Sequence, residues 1–194
     1  MKYRSLFLLF AIITVAIGAA ALKPLDISFA ATASTVTPLP TPAKPAGKVK
    51  TIQQLTYTDG EYDGTNVVKT DDEWKQLLSP AAFTVLRQEG TERPYSGALL
   101  NNHKHGTFYC AACGLALFKS TAKFESGTGW PSFFQPIFKK NVVEKVDNSL
   151  GGERTEIECA RCHGHLGHVF DDGPKPTGLR YCMNSVALAF KADK

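Results

Sequence analysis

Five cysteines and a run of three histidines are the residues of this chain best suited to chemistry. Four of the cysteines form two Cys-x-x-Cys knuckles, Cys110 and Cys113 in "CAACG" and Cys159 and Cys162 in "CARCH", with 46 positions from Cys113 to Cys159. Each knuckle aims two sulfurs at one point, and two of them complete the tetrahedral thiolate shell that Zn²⁺ prefers. The alternatives are structural disulfides or a redox pair. Closing Cys-x-x-Cys on itself makes a small loop seen mostly in redox motifs, and no thioredoxin-like βαβ pattern surrounds either knuckle. The spacing therefore favours a structural zinc site.

Cys182, in "GLRYCMNSVAL", has no such partner. A leftover thiol is an inert core residue, a site of intermolecular pairing or a reactive group. On a strand, Arg180, Cys182 and Asn184 project from one face, away from Tyr181 and Met183. A guanidinium there favours the thiolate, and an amide can orient the sulfur or hold a substrate. The stretch "CHGHLGHVFDDG" adds His163, His165 and His168. Four thiolates leave the metal needing none of them, so they are either surface residues beside the knuckle or, for His165 and His168, proton donors near neutral pH. In "ESGTGWPSFF", Trp130 on a Gly/Pro turn is either ordinary core or an aromatic wall for a small apolar or sulfur-bearing group.

These residues need a scaffold. "TDDEWKQLLSPAAFTVLRQEG" reads as two short helices, the first capped by Asp71 or Asp72, the second by Ser79 with Pro80 in its first turn and ended by Gly90. From Phe108 onward, short aromatic and β-branched runs are broken by Gly, Pro, Asn and Asp, as in a compact antiparallel β-fold. "NVVEKVD" and "ERTEIEC" flank the turn "NSLGG" as a hairpin with one solvated face. The chain is therefore expected to be mainly β, with short N-terminal helices.

The length of 194 residues suits one domain with appendages, and a separate cofactor domain is not expected. Lys2 and Arg4 precede an apolar run from Leu6 to Leu22, with no acid before Asp26. Residues 1–30 thus read as an export signal or a membrane anchor, and the product is expected outside the cytoplasm, in the periplasm or another extracytoplasmic space. Residues 31–69 read as a Pro/Thr-rich linker and lead-in, and the folded domain as 70–193. The formal charge of +4 falls by two if Lys2, Arg4, Lys23 and Asp26 are removed. That balance supplies no basic patch, so nucleic acid is not the expected partner.

Taken together, "RQEGTERPYSG", "CAACG", "SGTGWPSF" and "CARCHGHLGHVFDDGPKPTGLRYCMNS" resemble the B-type methionine-R-sulfoxide reductases, from about residue 70 to the C-terminus. The resemblance implies two antiparallel β-sheets with short N-terminal helices. Cys182 matches the family's nucleophile, and Cys110, Cys113, Cys159 and Cys162 match its structural zinc ligands. Trp130 matches the residue that holds the substrate's methyl group. His165 and His168 match the histidines near the sulfoxide oxygen, and Asn184 and Arg180 match polar positions around the nucleophile. The implied reaction reduces methionine-R-sulfoxide, free or in a protein, to methionine through a Cys182 sulfenic acid, in a monomer that repairs oxidised proteins. Many members carry a resolving cysteine where this chain has Thr128, so recovery by a thioredoxin-like reductant or a small thiol is expected. Two rival readings are a zinc-ribbon interaction module with Cys182 inert and a disulfide oxidoreductase using the knuckles.

Overall fold

The computed structural model describes residues 55–194. The segment read as an export signal, and the linker up to residue 54, lie outside the described residues. Among the described residues, no helix is long and apolar enough to cross a membrane.

Two helices open the domain, α1 (Asp71–Leu77) and α2 (Pro80–Gln88). The cap of α1 is Thr70, not Asp71 or Asp72: its hydroxyl accepts from Glu73 N while the Glu73 carboxylate accepts from Thr70 N at 2.7 Å. The reciprocal box needs Glu or Gln three residues on. Thr70 has Glu73, whereas Asp71 and Asp72 have Trp74 and Lys75. Both aspartates instead complement the helix dipole from the first turn. Ser79 caps α2 ahead of Pro80, as its sequence predicts. At the far end Glu89, not Gly90, takes the left-handed conformation, and Gly90 permits close approach, since a Cβ there would lie 2.9 Å from the Thr84 methyl.

Nine strands follow: β1 (Gly106–Cys110), β2 (Ala116–Lys119), β3 (Lys123–Phe124), β4 (Ser132–Phe133), β5 (Val142–Asp147), β6 (Arg154–Cys159), β7 (His165–Phe170), β8 (Arg180–Met183) and β9 (Leu188–Ala192). They form a three-stranded sheet in the order β2-β1-β9 and a six-stranded sheet in the order β3-β4-β8-β7-β6-β5, with antiparallel pairing throughout. The mainly β, two-sheet architecture expected from the sequence is the one found. Phe133 of the larger sheet stacks on Phe118 at 4.4 Å and meets Phe108 edge-on at 5.0 Å, both from the smaller sheet. Truncating such a fully buried ring to Ala costs about 3–5 kcal/mol. The lead-in residues 55–69 bridge to this body through Thr58, paired with Leu115, and through Asn141, whose amide donates to Gly60 O and Ala116 O.

The β5–β6 hairpin pairs from Val142 with Cys159 to Asp147 with Arg154, as its sequence predicts. The expectation of a solvated face holds for β5 and fails for β6, where Glu156 and Glu158 are buried. Both carboxylates have cationic or imidazole partners, Lys145 for Glu158 and His165 for Glu156, which is what permits them inside.

Candidate active site

The register of the larger sheet aligns four side chains across adjacent strands. Ser132 on β4 faces Cys182 on β8, Cys182 faces His168 on β7, and His168 faces Glu156 on β6. Residues directly opposite one another project from the same face of a sheet. A parallel row carries Arg180 opposite Phe170. Four adjacent strands bring these residues together at a fixed spacing, with no loop needed to place the thiol.

His165 and His168 are three positions apart, a spacing that puts them on opposite faces of a regular strand. A β-bulge corrects this. The register shifts so that Ile157 faces Gly167 while Glu158 faces His165, leaving Leu166 as the extra residue. The two imidazole rings end 5.4 Å apart. Gly167 is required by the tight β7–β8 contact, because a Cβ there would sit 2.1 Å from Cys182 O.

Each imidazole has a carboxylate. His165, buried, shares a 2.6 Å hydrogen bond between Nδ1 and Glu156 Oε1, and its Nε2 has no protein partner. His168 Nε2 lies 2.7 Å from Asp147 Oδ2, and Arg154 donates to the same oxygen at 2.5 Å. Hydrogen bonds from Ser149, His168 and Arg154 hold the Asp147 carboxyl well below the usual carboxylate range. Burial is the main force lowering the pKa of His168, aided by Arg154 and His165 and opposed by Asp147.

Cys182 is half-buried. Burial raises its pKa, against the pull of the Thr128 hydroxyl, the Arg180 guanidinium and the Ser132 hydroxyl. Arg180 therefore acts in the direction its position in the sequence suggests, but burial outweighs it. Its guanidinium forks onto Asp172 at 2.8 and 2.9 Å and lies over the Phe170 ring. The Asn184 amide is committed to backbone: Oδ1 accepts from Glu92 N at 3.0 Å and Nδ2 donates to Leu166 O at 3.1 Å. A cleft of about 110 Å³ opens over Cys182, lined by Thr91, Trp130, Arg154, Gly167, His168, Phe170 and Asn184. The indole of Trp130 is fixed by its Nε1–H, which donates to Glu92 O at 3.1 Å. Its exposed flank and the Phe170 ring give the cleft an apolar wall.

Glu92 is the organiser that sequence reasoning missed. Besides its two backbone contacts, its carboxylate accepts from Ser185 N at 2.6 Å and Val186 N at 3.1 Å. Asp147, Arg154 and Glu156 were missed as well. The one signal for Glu92 was its place in the "RQEGTERPYSG" motif.

The four knuckle cysteines converge, with all sulfurs within 4.8 Å of one another and pairs at 3.6 Å (Cys110, Cys162) and 3.5 Å (Cys113, Cys159). A disulfide needs about 2.05 Å, and all five cysteines are free. A tetrahedral ion bound at about 2.3 Å separates its sulfurs by roughly 3.8 Å, so the cluster fits a metal. The two knuckles share a turn in which the fourth residue after the first cysteine is left-handed: Gly114 at φ 74° and His163 at φ 52°. His163 is exposed beside the cluster, away from the cleft.

A family model described as the SelR domain matches residues 78–192. The chain is 57% identical over 128 residues to a peptide methionine sulfoxide reductase MsrB of Leptospira interrogans, covering 66% of this chain and 97% of that protein. It is 57% identical over 122 residues to a protein of the same name in Bradyrhizobium diazoefficiens (63% and 88% covered) and 56% over 128 residues to one in Methanosarcina barkeri (66% and 90%). The resemblance seen in the separated motifs, the two-sheet scaffold and these matches agree: the chain belongs to the SelR-domain family, the B-type methionine-R-sulfoxide reductases.

Proposed function

We propose that this enzyme reduces methionine-R-sulfoxide to methionine with Cys182 as nucleophile, and that an external thiol completes each cycle. The observation that carries the reading is the sheet register that faces Cys182 with His168 beneath an apolar wall formed by Trp130 and Phe170. The Cys182 thiolate attacks the sulfoxide sulfur with the substrate's methyl group against Trp130. Proton delivery to the departing oxygen falls to His165 or His168, each oriented by its carboxylate. Of the two, His168 lines the cleft over Cys182, whereas His165 does not and its unpartnered Nε2 is buried. The S–S bond formed by this attack then breaks as the protonated oxygen passes from the substrate sulfur to Cys182, which releases methionine and leaves Cys182 as a sulfenic acid.

The other four cysteines are gathered in the metal cluster, and position 128 is Thr. The chain therefore has no spare thiol to resolve the sulfenic acid, and a thioredoxin-like dithiol or a small thiol attacks it instead. Zn²⁺ held by Cys110, Cys113, Cys159 and Cys162 supplies binding energy available only to the folded chain, clamping the β1–β2 turn to the β6–β7 turn. We further propose that the protein acts as a monomer and that residues 1–30 direct it out of the cytoplasm, where it repairs oxidised proteins.

The mechanism is tested by adding R-sulfoxide peptide without reductant and trapping the product with dimedone. One adduct on the Cys182 peptide, produced by the R and not the S epimer, is expected. An intramolecular disulfide to Cys182 with the metal retained would contradict it.

A further inference from the structure

Three hydroxyls form a connected chain that reaches the Cys182 sulfur through Thr128. Thr128 Oγ1 lies 3.8 Å from Cys182 Sγ, Ser126 Oγ lies 2.8 Å from Thr128 Oγ1, and Ser126 Oγ lies 2.7 Å from Ser132 Oγ. Ser132 Oγ also lies 3.2 Å from Trp130 O, which only accepts. Each hydroxyl carries one proton, so the direction of the chain is determined. If Ser132 donates to Trp130 O, then Ser126 must donate to Ser132, and Thr128 must donate to Ser126. Thr128 then has no proton left for the sulfur and accepts the thiol's S–H. This arrangement suits the neutral thiol alone.

A thiolate has no proton to give and needs donors. It obtains them when Thr128 rotates its O–H toward the sulfur. Ser132, which faces Cys182 across the β4–β8 register, then releases Trp130 O and does the same. Ser126 donates to either neighbour, so every hydroxyl stays satisfied. We propose that Ser126, Thr128 and Ser132 form a hydroxyl chain whose direction reverses when Cys182 ionises, so that the sulfur receives two O–H donors only as an anion. Thr128 contacts the reacting sulfur, Ser132 faces Cys182 from the neighbouring strand, and Ser126 is a positioning residue. The inference rests on Cys182 being the reactive thiol. It gives Thr128 a task of its own. The charged and titratable groups that face Cys182 are Arg180 on its own strand, His168 opposite it on β7 and Arg154 across the cleft. None of them is altered in the test.

The test is the pH profile of iodoacetamide alkylation of the full chain, read on the Cys182 peptide by mass spectrometry, which requires no sulfoxide turnover. Thr128→Val and Ser132→Ala are each expected to move the midpoint up by about one pH unit, a roughly tenfold loss of thiolate below the midpoint. Thr128→Ser, which restores the hydroxyl, is expected to keep the wild-type midpoint. An unchanged midpoint in Thr128→Val, with native near-UV circular dichroism, overturns the proposal, as does a Thr128→Ser midpoint displaced as far as that of Thr128→Val. Turnover of the R epimer by wild type is measured separately. A shift in the midpoint without turnover would uphold the hydroxyl chain and refute the reductase mechanism, and the reverse pattern would do the opposite.

Discussion

Replacing Glu92 with Ala separates the packing of the cleft from its chemistry, because Glu92 touches neither the thiol nor an imidazole. The change removes a carboxylate that accepts from Ser185 N and Val186 N at 2.6 and 3.1 Å. Hydrogen bonds to a charged group contribute about 1.5–3 kcal/mol each. Ser185 is buried, while Val186 is half-buried and regains part of its loss from water. The expected destabilisation is about 2–4 kcal/mol, or a fall of roughly 10 °C in Tm for a domain of this size. Glu92→Gln, whose amide oxygen can still accept one of the two N–H groups, should lose about half as much. The Glu92 backbone also holds Trp130 Nε1 at 3.1 Å, so a loosened loop releases the indole. A wall that contacts the substrate's methyl group equally before and during reaction acts mainly on KM. The expected result is a roughly tenfold loss of kcat/KM on an R-sulfoxide peptide, carried mostly by KM, measured well below the new Tm. The reasoning fails if Glu92→Ala unfolds within about 0.5 kcal/mol of wild type, or if stability drops while kcat/KM stays unchanged.

Three further outcomes follow from the same geometry. Stripping the four-cysteine cluster with a chelator, or replacing Cys113 with Ser, should abolish cooperative unfolding, because the metal's binding energy is folding energy; a metal-free chain with unchanged Tm would refute the clamp. Burial raises the folded-state pKa of Cys182 above its unfolded value. Its contribution is therefore fully present below the unfolded pKa of about 8.5 and lost as pH rises through the folded one. Urea titrations should show wild type losing more stability than Cys182→Ser above about pH 8.5, and parallel curves would contradict this. His163 holds a left-handed φ of 52° where the other knuckle has glycine, so His163→Gly should be neutral or stabilising by up to about 1 kcal/mol with activity intact; a large loss of turnover would place His163 in the chemistry.

What the sequence revealed was local. Cys-x-x-Cys spacing, the Ser79–Pro80 cap and the β5–β6 hairpin are each written within a few residues, and each appears in the structure. The pairing of His165 with His168 was visible only as proximity, since a spacing of three needs the bulge at Leu166 to put both rings on one face. A carboxylate at an alternating strand position, such as Glu156, usually lies on the solvated face. Its burial depends on a histidine from the neighbouring strand. Glu92 acts on residues more than ninety positions away, a distance over which no periodicity reports. Thr70 shows the same limit at short range: choosing among neighbouring capping residues required checking which had a glutamate three positions later.

The central claim is that Cys182 reduces the R epimer and no other. The direct measurement is turnover of separated R and S epimers of a methionine-sulfoxide peptide, with dithiothreitol as reductant, by wild type and Cys182→Ser. The account predicts conversion of the R epimer alone, abolished in Cys182→Ser. Equal activity on the S epimer, or R activity that survives in Cys182→Ser, would contradict it.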